Sequence, residues 1–287
     1  MTEKRSYLRA LVQWIRRLSR GHGAMQTADA VRDLLKLKGA SGAHYLECND
    51  GRTYAVKFFQ QTSDKAVTNE FLGSTLAVEL SLPTTNMILV RLSQEFIELA
   101  ADLRSRNIRA GVHVGNERVA NAFDFDEPIA KNLPEGTAIV NAADLPGIIV
   151  FDNWLLNGDR NNVGNNLLQS VGSNSFKYVM VDFGHCFEGP SWTAASLVQA
   201  QSNSNIVPLF PFIAKEVVNH QSLEPFLSRL SAIGNQRIDE IVDSIPSEWG
   251  ITAPESGALK DFLKYRRDAI RGVLYDPVRR NNFPNWR

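Results

Sequence analysis

The sequence is poor in cysteine and has no long apolar run, and both absences narrow the class of protein. Only Cys48 and Cys186 occur among 287 residues, which excludes a disulfide framework and favours a reducing, cytoplasmic location. No uninterrupted apolar stretch approaches the roughly 18 residues that a membrane-spanning helix needs. Lys and Arg together number 31, as do Asp and Glu, so net charge gives no strong signal for a nucleic-acid partner.

The rest of the composition is that of an ordinary globular protein. Apolar residues make up 44% of the chain and charged residues 22%, which is typical of soluble domains. A chain of this length can bury the cores of one large domain or of two lobes. The sequence shows no internal repeat at the periods typical of solenoids, so a repeat architecture is not expected.

Residues 1–23 form a basic segment. Its basic residues outnumber the single acidic Glu3, and apolar residues recur at helical spacing between Leu8 and Leu18. This pattern predicts a basic amphipathic helix. We expect the helix to pack on the body of the protein with its basic face in water. The alternative is contact with an anionic membrane or an acidic partner.

A β-rich region is expected to follow. Strands are predicted over residues 43–48 and 53–59, because the Asn-Asp-Gly sequence at 49–51 between them is a strong hairpin signal. Small residues precede the first of these strands at Gly39, Ser41 and Gly42. Such residues let backbone N–H groups approach phosphate oxygens, although a plain turn explains them equally well.

Lys57 lies in an otherwise apolar strand, where an ammonium group is costly to bury unless it is paired. Glu70 lies further along, in a helix predicted over residues 65–80. We therefore expect an ion pair between them, which is how kinases orient a lysine that contacts phosphates. The alternative is an edge-strand lysine that points into water.

Between the two predicted halves the pattern is less regular. A strand is predicted over residues 87–92, a helix over 95–106, and a strand or loop over 111–115. The connection between the halves, with backbone facing an adenine, is expected between residues 93 and 134. Beyond it the pattern is helical, with helices predicted over residues 145–156, 217–230, 236–244 and 256–274.

The most informative stretch follows the helix over residues 145–156. It contains Asp159-Arg160, then Asn165-Asn166, then an apolar run that stops at Asp182-Phe183-Gly184. Two short strands joined by a turn would bring Asp159, Asn166 and Asp182 around one small space. A carboxylate that takes a hydroxyl proton, with an Asn and an Asp that hold magnesium, is the arrangement used for phosphoryl transfer. The alternative is a polar hairpin whose Asp and Asn residues serve turns and caps.

Taken together, these pieces resemble the HipA-like kinase family and, more distantly, the phosphatidylinositol kinases. The matching segments are residues 54–58, 69–72, 82–83, 151–154, 157–160, 165–168, 181–185 and 245–249. The resemblance implies an α+β, bilobal protein-kinase-like fold. A small β-rich N-lobe would occupy residues 24–140 with the connection between the lobes, and a mostly helical C-lobe would occupy 141–287.

The resemblance also implies cofactors and residue roles. With ATP and Mg²⁺ bound, Lys57 would contact the α- and β-phosphates and Glu70 would hold it. Asp159 would orient or deprotonate the acceptor hydroxyl. Arg160 would fix the catalytic loop or neutralise charge near it. Asp182 would bind the metal together with an asparagine, for which Asn166 is preferred because it directly precedes Leu-Leu, with Asn165 as the alternative.

These roles predict a kinase that transfers the γ-phosphate of ATP to a hydroxyl, with a Ser or Thr of a protein as the expected acceptor. The protein substrate itself is not specified by the sequence. One alternative keeps the fold and changes the acceptor to a lipid headgroup or a small molecule. Another is a nucleotide-binding pseudokinase or adaptor that binds without turnover.

Overall fold

The structure is a computed structural model that describes residues 25–39, 41–60 and 64–287. The chain is a mixed α+β protein with a sheet-rich N-terminal part and a helical C-terminal part. The basic helix predicted over residues 1–23 lies outside the described residues. Among those that are described, no helix is both long enough and apolar enough to span a bilayer.

Five strands close into a barrel in the order β1-β2-β3-β5-β4. Neighbouring strands are antiparallel, except that β1 runs parallel to β4. The barrel buries alternate side chains of its strands, among them Leu46, Val56 and Val90, because successive side chains of a strand point to opposite faces. The five strands are β1 (Thr27–Lys36), β2 (His44–Cys48), β3 (Thr53–Lys57), β4 (Met87–Leu92) and β5 (Gly111–Glu117).

The strands predicted over residues 43–48 and 87–92 are confirmed, but β1 was missed. Only Ala28 of its ten residues is buried, so the strand carries no alternating apolar pattern. Two irregularities also interrupt its register with β2. A strand of this kind is held by its backbone pairing with both neighbours, which composition and periodicity do not reveal.

Strand β3 ends at Lys57, two residues before the end predicted from the sequence. Just beyond the strand, the backbone N–H of Phe59 donates to Nδ1 of His113 at 2.9 Å. His113 is buried, and burial lowers its pKa to about 4. Its two ring nitrogens therefore link the segment after β3 to the carbonyl oxygen of Arg109.

Helix α1 (Ala66–Glu79) lies between β3 and β4 in the sequence and is buried over most of its length. The helix comes very close to Phe183, since a Cβ at Gly73 would lie 2.3 Å from the Cβ of that residue. The single helix predicted over 95–106 is two short helices, α2 (Gln94–Leu99) and α3 (Ala101–Ser105). They break at Ala100, where ψ is 94° and the backbone is extended.

A second sheet follows the barrel, with the strand order β6-β8-β9-β7. Its strands are β6 (Ala122–Asp124), β7 (Ala138–Ile139), β8 (Asn166–Gly172) and β9 (Ser175–Met180). The β8–β9 hairpin was predicted, whereas the two- and three-residue strands on its flanks were not. Residues 118–121 carry the chain from β5 to β6, and so connect the barrel to this sheet.

The C-terminal part is built around helix α5, which is buried along its whole length. The helices are α4 (Glu127–Lys131), α5 (Leu145–Leu155), α6 (Ala194–Ala200), α7 (Pro211–Ala214), α8 (His220–Ser231), α9 (Asn235–Asp243) and α10 (Ala253–Tyr275). The predicted helices correspond to α5, α8, α9 and α10, within three residues at each end. Helices α4, α6 and α7 were missed because they are too short to show a helical period.

Candidate active site

Lys57 lies where the barrel meets the second sheet, and two carboxylates surround its ammonium group. Its Nζ is 2.7 Å from Oε2 of Glu70 on α1 and 2.5 Å from Oδ1 of Asp182, just after β9. The Lys57 side chain is only 12% exposed and that of Glu70 is fully buried. The ion pair expected between Lys57 and Glu70 is therefore present, and Asp182 completes it.

The pKa values of Lys57 and Asp182 follow from the pairing of their charges. Burial alone would raise the pKa of Asp182, but the Lys57 ammonium and the N–H of Gly184 outweigh it and lower that pKa. Burial would lower the pKa of Lys57, but Asp182 and Glu70 raise it overall. Lys57 and Asp182 are consequently both charged at neutral pH.

A buried polar network fixes Glu70. Oε1 of Glu70 accepts a hydrogen bond from Nδ2 of Asn116 at 2.6 Å, and Oε2 accepts one from the backbone N–H of Phe183 at 2.7 Å. The Asn116 oxygen in turn accepts hydrogen bonds from the hydroxyls of Ser74 and Thr85. Sequence reasoning missed Asn116, although an asparagine within a buried strand is itself a signal, since a buried amide needs partners.

Asp159 lies in the loop between α5 and β8. Helix α5 ends at Leu155, and the left-handed φ of 51° at Leu156 turns the chain into this loop. Oδ2 of Asp159 accepts a hydrogen bond from Nδ2 of Asn165 at 2.7 Å, and Oδ1 accepts one from Nδ2 of Asn162. Side-chain amides of the same loop thus aim the carboxylate.

Arg160 is buried beneath the loop and forms a salt bridge with Asp152 of α5. Its Nε lies 3.0 Å from Oδ2 of Asp152, and its Nη1 donates to the carbonyl oxygens of Asn165 and Val181. Burial opposes the charge of Arg160, but Asp152 more than compensates and the pKa of the guanidinium is raised. Because these contacts occupy the side chain, Arg160 can fix the loop but does not reach a substrate.

The two candidate metal-binding asparagines point in different directions. Asn166 is fully buried, since its Nδ2 donates to the carbonyl of Arg160 and its Oδ1 accepts from the hydroxyl of Tyr178. Asn165 turns its Nδ2 toward both the carbonyl and the carboxylate of Asp159. Within the described part of the chain, Oδ1 of Asn165 accepts no hydrogen bond. The geometry therefore does not support the preference for Asn166 and favours Asn165.

The loop and the hairpin bring Asn165 next to Asp182. Asn166 pairs with Met180 in the β8–β9 ladder, and the N–H of Val181 donates to the carbonyl of Asn165 at 3.1 Å. Oδ1 of Asp182 is used by Lys57 and Gly184, whereas Oδ2 accepts no hydrogen bond from any described residue. An amide oxygen and a carboxylate oxygen are thus left for a hard cation such as Mg²⁺, which takes few protein ligands alongside phosphates and water.

A family model described as HipA-like kinase matches residues 36–283. The chain belongs to the HipA-like kinase family. It is therefore a phosphotransferase by family, and the matched range contains every residue of the site described above. A search of curated proteins finds no match.

A solved structure shows a fold similar to that of this HipA-like kinase. The crystal structure of the Helicobacter pylori proinflammatory kinase CtkA matches with a TM-score of 0.59 at 15% identity, over 87% of this chain and 97% of that chain. HipA from Shewanella oneidensis MR-1, in a complex with HipB and operator DNA, matches with a TM-score of 0.40 at 12% identity. That match covers 91% of this chain and 70% of the other.

In this HipA-like kinase, Asn69 fastens the segment that follows Asp182. Its Nδ2 lies 2.9 to 3.1 Å from the carbonyl oxygens of Gly184, Cys186 and Gly189, and its Oδ1 accepts from the indole N–H of Trp192. The residue next to Glu70 on α1 thus sets the path of the chain beyond the site. Sequence reasoning assigned no role to this asparagine.

The small residues Gly39, Ser41 and Gly42 lie in the connection between β1 and β2. This connection is near the Lys57 end of β3, because His44 pairs with Val56 in the β2–β3 ladder. Gly42 has a φ of 56°, and a Cβ there would meet the Arg106 guanidinium at 2.8 Å. No contact between this connection and the charged groups of the site is recorded among the described residues.

A cavity of about 410 Å³ borders Asp159. Three segments form its walls: the loop after α5, the segment around His185 and Glu188, and residues 203–208. The cavity is large enough to admit a side chain together with its flanking groups. Sequence reasoning did not anticipate its third wall, which carries no recognisable motif.

Proposed function

We propose that this kinase transfers the γ-phosphate of ATP to a Ser or Thr hydroxyl of a protein, with Mg²⁺ as the cofactor. The observation that carries the proposal is the convergence of two groups of side chains. Lys57, Glu70 and Asp182 form a charged group, and Asp159 with Asn165 lies beside it. A cation that can bind phosphates and side chains that can bind a metal thus lie beside a carboxylate that can receive a proton. Phosphoryl transfer requires this combination.

The nucleotide would lie between two lobes, the barrel and the helical part. Lys57 would contact the α- and β-phosphates, since it is the cation at the junction and Glu70 fixes its position. The connection at residues 39–42 would cover the phosphates through its backbone N–H groups. Residues 118–121, which connect β5 to β6, would present backbone groups to the adenine.

Asp182 and Asn165 would hold the magnesium. The residues fit this role because each leaves a side-chain oxygen free of hydrogen bonds from described residues. When bound, Mg²⁺ neutralises charge on the phosphate oxygens and so lowers the electrostatic barrier to transfer. The salt bridge between Arg160 and Asp152 stabilises this arrangement, because Arg160 also donates to the carbonyl oxygen of Asn165.

On the acceptor side, Asp159 would orient the hydroxyl and receive its proton. The hydroxyl oxygen bonds to the γ-phosphorus while the bond from that phosphorus to the β,γ-bridging oxygen breaks, and ADP leaves with the bridging oxygen. Positioning and charge neutralisation supply most of the rate enhancement in such reactions. The hydrogen bonds from Asn162 and Asn165 hold Asp159 ready for this role.

The first test is thermal unfolding with ATP, with and without Mg²⁺, for the unchanged protein and for Asp182→Asn. A ligand at a hundred times its dissociation constant stabilises the folded state by about 2.7 kcal/mol, enough to raise the melting temperature by several degrees. We expect a magnesium-dependent rise that Asp182→Asn loses, because the carboxylate oxygen facing the cation is replaced by an amide.

The matched control is Asp261→Asn, at an exposed aspartate on α10, which should keep the full magnesium-dependent rise. If the unchanged protein shows no rise at millimolar ATP, the proposed nucleotide site is refuted and an adaptor role becomes preferable. If the rise persists in Asp182→Asn with its magnesium dependence intact, Asp182 is not the metal ligand.

A second comparison separates the two asparagines. Asn165→Ala should lose the magnesium dependence of ATP binding while its melting temperature without ligand falls only modestly. Asn166→Ala should lower that melting temperature by more, because it leaves the buried Tyr178 hydroxyl without its acceptor, at a cost of about 1–3 kcal/mol. Calorimetric titration of Mg²⁺ with ATP would check both. The reverse result, with binding lost only in Asn166→Ala, would restore Asn166 as the ligand.

A further inference from the structure

The cavity beside Asp159 is acidic. Asp159 and Glu188 both line it, and of the described lining residues none is Lys or Arg; His185 is the remaining titratable group. The other walls are formed by uncharged residues such as Asn205, Ile206 and Val207. An acceptor that enters this space therefore meets two carboxylates close to the reacting oxygen.

The backbone aims Glu188 into the cavity. Phe187 and Glu188 have left-handed φ values of 62° and 64°, which non-glycine residues rarely adopt. Their N–H groups donate to the carbonyl oxygens of Leu155 and Leu156, so the two residues are attached to the end of α5. Phe187 is buried against Trp192 and Phe262. This anchoring leaves the exposed Glu188 beside the loop that carries Asp159.

The facing wall fixes the orientation of the glutamate. Oε1 of Glu188 accepts a hydrogen bond from Nδ2 of Asn203 at 2.9 Å, whereas Oε2 accepts none from any described residue. Arg266 lies behind this wall and donates to the carbonyl oxygens of Asn203, Asn153 and Trp154. Backbone oxygens thus take up its guanidinium, so Arg266 forms no salt bridge with Glu188 and attracts it only at longer range.

We propose that Glu188 selects an acceptor whose hydroxyl lies next to a cationic group, namely a Ser or Thr flanked by Lys or Arg in a polypeptide. The inference rests on the proposed function and adds the chemistry of the acceptor to it. Opposite charges across a binding surface favour the matching partner, and like charges disfavour others. The same two carboxylates repel phosphate groups, which argues against a phosphorylated lipid headgroup or a nucleic acid as acceptor.

The shared chemistry of a hydroxyl beside a cation also occurs in small amino alcohols. The test therefore has two arms, one with peptides and one with ethanolamine and an aminoglycoside as probes. The peptides form a positional-scanning library with a central Ser or Thr and Ala, Lys or Glu at each neighbouring position. Transfer rates are measured for the unchanged protein, Glu188→Gln, Glu188→Lys and the control Glu95→Lys, at an exposed glutamate on α2.

In the unchanged protein, Lys at one or two flanking positions should raise the rate roughly two- to five-fold over Ala, the effect of a partly exposed ion pair. Glu188→Gln keeps an acceptor for Asn203 and should bring that ratio near one. Glu188→Lys should invert the preference in favour of Glu. Glu95→Lys should show the unchanged preference, because it alters charge far from the cavity.

The remaining outcomes are separable. A Lys preference that survives in Glu188→Lys overturns the proposal. Transfer to the amino alcohols but not to peptides, with a lower rate in Glu188→Lys than in the unchanged protein, keeps the selection of a cationic acceptor by Glu188 and overturns its assignment to a polypeptide. Magnesium-dependent binding of ATP without transfer to any probe overturns the proposal and leaves the nucleotide site intact. Absence of ATP binding by the unchanged protein refutes the proposed function itself.

Discussion

Replacement of Asp159 by Asn is expected to slow phosphoryl transfer by roughly 10²- to 10⁴-fold, the usual contribution of a positioned general base. The physical reason is that an amide cannot take the hydroxyl proton, although it occupies the same volume. Asn165 and Asn162 donate to the carboxylate in the unchanged protein, and an amide oxygen can still accept one of these bonds. The folded state should therefore remain intact.

Single-turnover transfer and calorimetric binding of ATP with Mg²⁺, measured on the same preparation, would check this result. Binding should stay close to that of the unchanged protein, because Asp159 is not among the residues assigned to the metal or the phosphates. Asp261→Asn is again the matched control and should retain full transfer. Equal transfer rates in Asp159→Asn and the control would remove Asp159 from the proposed mechanism.

Replacement of Arg160 by Met is expected to destabilise the fold by about 3–5 kcal/mol, because it leaves the carboxylate of Asp152 buried without its counter-charge. The two side chains are 1% and 4% exposed, so water cannot replace the lost partner. The carbonyl oxygens of Asn165 and Val181 lose their donor as well. Denaturant unfolding, with the midpoint and slope compared between variants, measures the effect.

A double variant separates the effect of the two charges on stability from the effect of the volume that the two side chains fill. Asp152→Leu combined with Arg160→Met removes both charges, and such replacements of a buried pair by apolar groups are often close to neutral. We expect it to be more stable than Arg160→Met alone. Lys131→Ala breaks the exposed pair with Glu127 and should cost only about 0.5 kcal/mol. A similarly small cost for Arg160→Met would contradict the structural role of the salt bridge.

These two predictions test different roles for two residues that are adjacent in the sequence. Asp159 and Arg160 are neighbours in the chain, yet one lines the cavity and the other is buried against α5. The first variant should change transfer without changing stability, and the second should change stability first. Measuring both properties for both variants therefore tests the assignment of roles more strictly than either measurement alone.

Local chemistry was sufficient for several parts of the site. The pairing of Lys57 with Glu70 follows from the cost of burying an ammonium group in an apolar strand. The hairpin that brings Asp182 toward Asp159 follows from two apolar runs separated by a turn. The helices α5, α8, α9 and α10 were found because they are long enough to show their period. In each case the decisive interaction is either local or required by the residue type.

Only the tertiary structure decided the features that depend on contacts between elements far apart in the sequence. Asn165 and Asn166 are adjacent and chemically identical, so only their positions at the start of β8 show that one faces the loop and the other the core. Strand β1 closes the barrel through backbone pairing that leaves no side-chain pattern. The wall that orients Glu188 comes from residues 203–208. Side chains distant in the sequence hold this segment, because Arg266 donates to the carbonyl oxygen of Asn203 and Asn153 accepts from the N–H of Val207.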